Sequence, residues 1–572
     1  MIQNSLAGQA RRGAFALWLA CGTLACGGAA QAATAPSVKP VVAAAPPPAH
    51  RLHIRRAPVA EASLPHIVRD GDRYALMVDD APFLMLGAQV NNSSAWPAAL
   101  PKVWPAMERL GVNTMEIPIA WQQIEATEGQ FDFAFLDTLL TQAREHHIRL
   151  VLLWFGTWKN NNPNYAPDWV KLDNARFPRV INAKGETMNS LSPLFPATLE
   201  ADKTAFAALM RHLKAVDPQH TVLMMQVENE SGVYGAVRDH SPTAEAAFQG
   251  PVPDALVKAL GKAPGTWAQV FGPDADEDFE AWQVGHYIDQ VAAAGKAEYP
   301  LPMYVNAALR DPFKAQDPFT FDSGGPTWDV LDIWKAAAPH IDVLGPDIYM
   351  SDYASYTRTL DQYRRPDNPL FVPETGNAIG YARYLFEAVG RGAIGFSPFG
   401  MDFTGYYNFP LGAEKLDEDT LEAFSLNTHL LAPMARQIAA LNYAGKVWGA
   451  AEPKDVHEQT LNLGRWQAKL SYGRPQFGWP PATGNVTPSG GALIAELGPN
   501  EYLVTGVHVR VDFALATATD PAAKRVILSS VEEGHYEDGR WVFDRIWNGD
   551  QTDYGLNFTS IPQVLRVRLA TY

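Results

Sequence analysis

The segment Met225-Gln226-Val227-Glu228-Asn229-Glu230 closes an apolar run, residues 221–227, with an Asn-Glu pair. A run of that length and composition reads as a buried strand, and a carboxyl group at its end sits at a mouth and not in a core. Much later the apolar run 369–373 also ends on a carboxylate, Glu374, followed by Thr375-Gly376-Asn377. Two strand-end glutamates are the parts needed to cleave a glycosidic bond. One carboxyl protonates the leaving oxygen, and the other attacks the anomeric carbon or activates water. Carboxyls about 5 to 5.5 Å apart would retain configuration, and about 6.5 to 9.5 Å would leave room for an inverting water.

The acid must keep its proton near neutral pH, so Glu230, with an ionised Glu374 nearby, is the candidate acid/base. Glu374, the candidate nucleophile, needs hydrogen-bond donors to stay ionised, and Tyr349 at the end of the sixth apolar run is suited to supply one. Asn229 is placed to bond the sugar hydroxyl beside the anomeric carbon. Glu228 is expected on the same side as Glu230 and is its competitor within the motif. The stretch 154–160 carries Trp158, Lys159 and Asn160 just past the third run, where they line a sugar subsite or else divide between core and loop. Trp121, Asn91, Asn306 and Tyr406 are weaker substrate-binding candidates of the same kind.

Something must bring residues so distant in sequence together. Between about 65 and 435 the chain alternates eight short apolar runs (83–88, 114–118, 150–155, 222–227, 303–306, 343–349, 370–374 and 394–397) with helical stretches such as 133–147, 203–216 and 280–294. That alternation predicts an α/β fold, a (β/α)8 TIM barrel, whose functional groups gather at the C-terminal ends of its strands. Glu230 and Glu374 then end strands four and seven and face one mouth. The stretch 230–302 exceeds one crossover and predicts an insertion on that face, where it would shape substrate selection. From 436 to 572 the pattern turns to β-type alternation, as in 502–511 and 540–547, with the turn Glu537-Asp538-Gly539 before the second run. This predicts a C-terminal all-β, sandwich-like domain.

A chain of 572 residues calls for more than one domain. Its formal charge of −16 becomes −18 without Arg11 and Arg12 of segment 1–32, which holds no acidic residue. That balance argues against nucleic acid. Segment 1–32, with Arg11-Arg12, an apolar stretch 14–25 and Ala30-Gln31-Ala32, reads as a secretory signal peptide, so export to the periplasm or outside the cell is expected. Both cysteines, Cys21 and Cys26, lie in it; either is a possible lipid anchor point, though the preceding residues fit a lipobox imperfectly, and the mature chain would carry no disulfide. Residues 33–64 are Ala/Pro-rich and read as a tether. No later run approaches the roughly 18 apolar residues of a membrane span. No His/Asp/Cys cluster has metal-ligand spacing, so neither metal nor cofactor is expected.

The run Gln226-Val227-Glu228-Asn229-Glu230 resembles the Gln-Val-Glu-Asn-Glu-Tyr-Gly motif of glycoside hydrolase family 35 β-galactosidases, within the clan of (β/α)8 retaining glycosidases. Glu128-Gly129-Gln130-Phe131-Asp132-Phe133 is similar to the strand-two loop of that family. The resemblance covers about residues 80–410. It implies Glu230 as acid/base, Asn229 as its sugar-binding neighbour and Glu374 as nucleophile. Ser231 stands where the family has Tyr, and Gly156-Thr157-Trp158 where it has Ala-Glu-Trp, so a galactose contact would pass to Lys159 or Asn160. The reading is an exported, exo-acting retaining β-galactosidase whose partner is a carbohydrate such as a xyloglucan side chain. The alternatives are an endo-acting glucanase or mannanase of the same clan, and a carbohydrate-binding barrel without catalysis, which would need neither glutamate.

Overall fold

A computed structural model describes residues 63–478, 480–516 and 525–572, so the signal segment and most of the tether lie outside the described residues. Eight parallel strands close into a barrel: β1 (Met85–Gln89), β2 (Thr114–Ala120), β3 (Arg149–Lys159), β4 (Val222–Asn229), β5 (Met303–Ala308), β6 (Val343–Ile348), β7 (Val372–Thr375) and β8 (Gly395–Pro398), which returns to β1. Each strand buries one face in the barrel interior and the other under helices, which is why the runs read as continuously apolar. The helices follow in turn: α1 (Leu100–Leu110), α2 (Ala134–Glu145), α3 (Pro196–Val216), α4 (Ala275–Glu298), α5 (Leu331–Ala337), α6 (Tyr353–Tyr363), α7 (Tyr384–Gly390) and α8 (Glu418–Leu431). Helix α3 starts well before the expected 203, because Pro196 takes its first turn, where proline's missing N–H costs nothing.

The expected first run, 83–88, divides. Ala81–Phe83 pairs in an antiparallel sheet with His66–Asp70 and Arg73–Val78, and only Met85–Gln89 joins the barrel. Leu76 and Val78 of that sheet pack against Met85, Val151, Leu153, Tyr304, Val343 and Phe371 inside the barrel. The N-terminal end is therefore plugged with apolar side chains, and the strand C-termini are left for chemistry.

Between β4 and α4 the chain inserts three short helices, Pro242–Gln249, Asp254–Leu260 and Trp267–Phe271. After Ala435–Tyr443 the chain turns to β structure. A six-stranded sheet and a four-stranded sheet enclose a second core of Trp466, Leu470, Ile494, Val511, Phe558 and Val567. The run 502–511, expected as one strand, splits at His508 (φ 49°), and its halves, Glu501–Val507 and Val509–Leu515, belong to different sheets. The hairpin Val526–Glu537/Arg540–Ile546 turns on Asp538 and Gly539, both at positive φ (46° and 74°), as a type I′ turn requires. The edge strand Val447–Ala451 lies on α7: the Ala451 N–H donates to Glu387 Oε2 at 2.7 Å, and a Cβ added at Gly390 would fall 2.1 Å from Gly449 N.

Candidate active site

Strand β4 delivers its two glutamates to different layers. Glu228 and Glu230 both have positive φ, 62° and 43°, which breaks the regular pleat at the strand end. Glu228 faces outward and not the mouth, contrary to the expected side. Its Oε2 accepts the Trp158 N–H at 2.6 Å, and it lies beside Asp202 of α3. A Cβ at Gly156 would come within 2.6 Å of Glu228 Oε1, so this glycine makes room for the buried carboxyl. Burial, then the Asp202 charge, raise the Glu228 carboxyl well above the carboxylate range.

Glu230 faces the mouth. Its backbone N–H donates to Asn306 Oδ1 at 3.0 Å, and its Oε2 lies 3.7 Å from Lys159 Nζ, delivered by the end of β3. Glu374, ending β7, accepts from Gln89 Nε2 at 3.0 Å and from the Tyr349 hydroxyl. Between them stands Asp347 of β6, the register partner of Glu374, whose Oδ2 accepts Asn306 Nδ2 at 2.6 Å. One oxygen from each of Glu230, Asp347 and Glu374 lies within 4.8 Å of the others. Among the described residues this is the only His/Cys/Asp/Glu grouping close enough to share a cation, and the Lys159 ammonium already stands beside it.

Burial first, then the Glu230 charge, push the Glu374 carboxyl up to about 7; Lys159 and the hydrogen bonds from Tyr349 and Gln89 pull the other way. The Tyr349 phenol is held well above its usual range by burial and by Glu374, so it remains a donor. Asp322 rises to about 7 through burial and the Glu230 charge, offset by the hydrogen bond from Asn161. Under the mouth, Glu116 of β2 is raised to about 8, chiefly by burial, and its Oε2 accepts the Tyr304 hydroxyl at 2.9 Å. The two donors on Glu374, Tyr349 and Gln89, favour its ionised form and so suit it to attack an electrophile in the cavity.

A cavity of about 380 Å³, within the size range of small-ligand sites, opens over this cluster. Glu230, Glu374, Tyr349, Lys159, Asn160 and Tyr406 line it, so six of the sequence candidates meet there. The others do not reach it. Trp158 points the other way, because residues alternate along β3 and Lys159 takes the mouth side; its indole donates to the Leu191 carbonyl at 3.0 Å and packs edge-on against Tyr287 of α4. Trp121 is buried, donating to Glu125 Oε2 at 2.9 Å. Asn91 donates to Asp402 Oδ1 at 3.0 Å and ties the loop after β8 to that after β1, while its neighbour Asn92 lines the cavity. Asn306 acts through Glu230 and Asp347. Asn229 is buried next to Glu230 with both side-chain polar atoms unpartnered among the described residues. The insertion after β4 contributes no lining residue; the walls come from residues 308–322 and 399–411.

Gln89, Asp347, Asn92 and Asp322 escaped the sequence reading. Gln89 ends the first strand, and Asp347 precedes Tyr349 by two, so strand parity was a usable signal for both. Asp322 lies in a loop and carries no such signal.

A family model described as β-galactosidase, glycoside hydrolase family 42, matches residues 92–281, which include Glu230 and not Glu374. A domain of unknown function (DUF5597) matches residues 424–559. The likeness in the Gln226–Glu230 motif therefore holds at the level of the barrel glycosidases, and family 35 is not what the match supports. No curated protein matches the sequence. Among solved structures, the β-galactosidase from Bacillus circulans sp. alkalophilus is 15% identical over 62% of this chain and 57% of its own, with a TM-score of 0.46. The β-galactosidase from Rahnella sp. R3 is 17% identical over 63% and 58%, also at 0.46. Exo-beta-1,4-mannosidase Op5Man5 from Opitutaceae bacterium strain TAV5 is 16% identical over 65% and 63%, at 0.41. The matched part covers less than two thirds of the length of each of these proteins.

Proposed function

We propose that this chain is a retaining β-glycosidase, and specifically a β-galactosidase that removes terminal β-galactosyl residues. The observation that carries the reading is the pair Glu230 and Glu374 at the ends of β4 and β7, with oxygens within 4.8 Å of each other over a cavity. That close approach of single oxygens fits the about 5 to 5.5 Å between carboxyls of a retaining pair better than the about 6.5 to 9.5 Å of an inverting one. Glu374, with Tyr349 and Gln89 donating to it, attacks the anomeric carbon while Glu230 protonates the leaving oxygen. Water then releases the sugar with Glu230 as base. Asn229 does not line the cavity, but it lies beside Glu230 and its side-chain amide has no partner among the described residues, which supports it as the contact for a sugar hydroxyl next to the reacting carbon.

Galactose as the sugar rests on the family-42 match over residues 92–281. Segment 1–32 supports export, and side chains of plant cell-wall polysaccharides such as xyloglucan are the proposed natural substrates. The test is hydrolysis of aryl β-galactoside, β-glucoside and β-mannoside by purified protein, with the product anomer followed by NMR. The expected result is preference for galactoside and a β-configured first product. An α-configured first product would overturn retention, and release of internal fragments from β-glucan or mannan would overturn the exo reading.

A further inference from the structure

Asp347 is 2% exposed at the end of β6, and one of its oxygens lies within 4.8 Å of an oxygen of Glu230. Its Oδ2 is occupied by the Asn306 amide, but its Oδ1 is buried and receives no hydrogen bond from any described residue. A buried carboxylate oxygen without a donor is costly, whereas the same oxygen bearing a hydrogen can donate. The groups facing it are Glu230, which accepts, Glu374, Lys159, and the phenols Tyr349 and Tyr304. Four carboxyls, Glu230, Asp347, Glu374 and Asp322, thus share one mouth with one ammonium. Ionising all four would leave three uncompensated charges in a buried site, so protons must be retained there.

We propose that Asp347 keeps a proton of its own on Oδ1 and donates it as a hydrogen bond to the Glu230 carboxyl, which makes Asp347 a positioning residue for the acid/base. The inference rests on the glycosidase reading of the site. In the first step the Glu230 proton passes to the glycosidic oxygen as the bond from that oxygen to the anomeric carbon breaks and the Glu374 oxygen bonds to the carbon. The Glu230 carboxylate left behind is held by the Asp347 hydroxyl. In the second step water gives a proton to Glu230 as its oxygen bonds to the anomeric carbon and the Glu374 ester bond breaks. Asp347 leaves each step as it entered. Asn306 fixes the geometry from both sides, accepting from the Glu230 backbone N–H and donating to Asp347 Oδ2.

Asp347→Asn separates this from a purely structural role, because an amide can accept from Asn306 through its oxygen and donate to Glu230 through its nitrogen. With phenyl β-galactoside, whose poor leaving group needs a proton, Asp347→Ala should lower kcat/KM on the order of a hundredfold, and Asp347→Asn by less than about tenfold. With 2,4-dinitrophenyl β-galactoside, which leaves without protonation, Asp347→Ala should cost less than about tenfold. The infrared difference spectrum of native protein minus Asp347→Asn at neutral pH should show the carbonyl band of a protonated carboxylic acid. An Asn variant as damaged as the Ala variant, equal losses on both substrates, or no such band would each overturn the proposal. If native protein cleaves no aryl β-glycoside, the glycosidase reading fails instead, and the infrared comparison still decides where the proton sits.

Discussion

Two carboxyl clusters lie side by side at the end of β4, and they differ in what surrounds them. Glu228 and Asp202 are sealed between the barrel and its helices: Asp202 accepts from the Trp154 indole at 2.9 Å, the Thr157 hydroxyl at 2.7 Å and the Tyr287 hydroxyl at 3.2 Å. Glu230, Asp347 and Glu374, two residues further along the same strand and across the mouth, share a cavity. Both clusters hold carboxyls pushed upward by burial and by one another. Perturbed protonation is thus common to a sealed joint and an open mouth. What separates them is access: one cluster opens on the cavity and the other does not.

The largest effect should come from removing the proposed acid/base and nucleophile. Glu374→Gln or Glu230→Gln should lower kcat/KM on an aryl β-galactoside by at least about a thousandfold with little change in melting temperature. Glu228→Gln should leave activity within about threefold, since it touches nothing in the cavity. Equal losses from Glu228→Gln and Glu230→Gln would erase the distinction between the clusters.

A smaller effect tests the donors. Glu374 must be ionised to attack, and its carboxyl lies at about 7, so kcat/KM should fall as pH drops through that value. The donors lower that value. Tyr349→Phe and Gln89→Ala should therefore each move the acidic limb to higher pH, Tyr349→Phe with a loss on the order of ten- to a hundredfold at neutral pH. An unmoved limb in both variants would show that another group sets it.

The barrel, and the meeting of Glu230 and Glu374 at its mouth, were legible in the sequence because both rest on strong local signals: apolar runs of strand length, two of which end abruptly in carboxylates. Side-chain direction was less legible. Parity along β3 decides between Lys159 and Trp158, and positive φ at Glu228 and Glu230 turns them to different layers, where regular alternation would have kept them together. Asp347 obeys parity with Tyr349 and could have been found. Asp322 could not, because only tertiary packing of a loop, fixed by its contact with Asn161, brings it to the mouth.

The sealed cluster should be read by stability. Asp202→Ala removes the acceptor for three buried donors; the Thr157 and Tyr287 hydroxyls, 2.7 Å apart, satisfy one hydrogen between them, while the Trp154 indole and the other hydroxyl hydrogen are left unpaired, which costs about 1 to 3 kcal/mol for each such group before relaxation. A cost of several kcal/mol in chemical denaturation is expected, with catalysis by the folded fraction largely kept. A variant as stable as the native protein would remove this cluster's role as the joint between β3, α3 and α4.

The smallest effect is in the pH dependence of stability, and it has the opposite sign to the usual acid denaturation. Glu116 and Glu280 are each raised from 4.5 to about 8 by burial, and Glu228 is raised too. In the window from about 4.5 to 8 the unfolded chain has released protons that the folded chain still holds at these sites, so the unfolded state binds fewer protons and stability falls as pH rises. Glu116→Gln, which has no proton to release, should flatten the decline in melting temperature between pH 5 and 8 by about a few degrees. Glu228→Gln should flatten it as well, since the sealed cluster holds its proton as the mouth does. An unchanged slope in both variants would mean that these carboxyls are ionised in the folded protein, and the contrast between the clusters would then rest on access to the cavity alone.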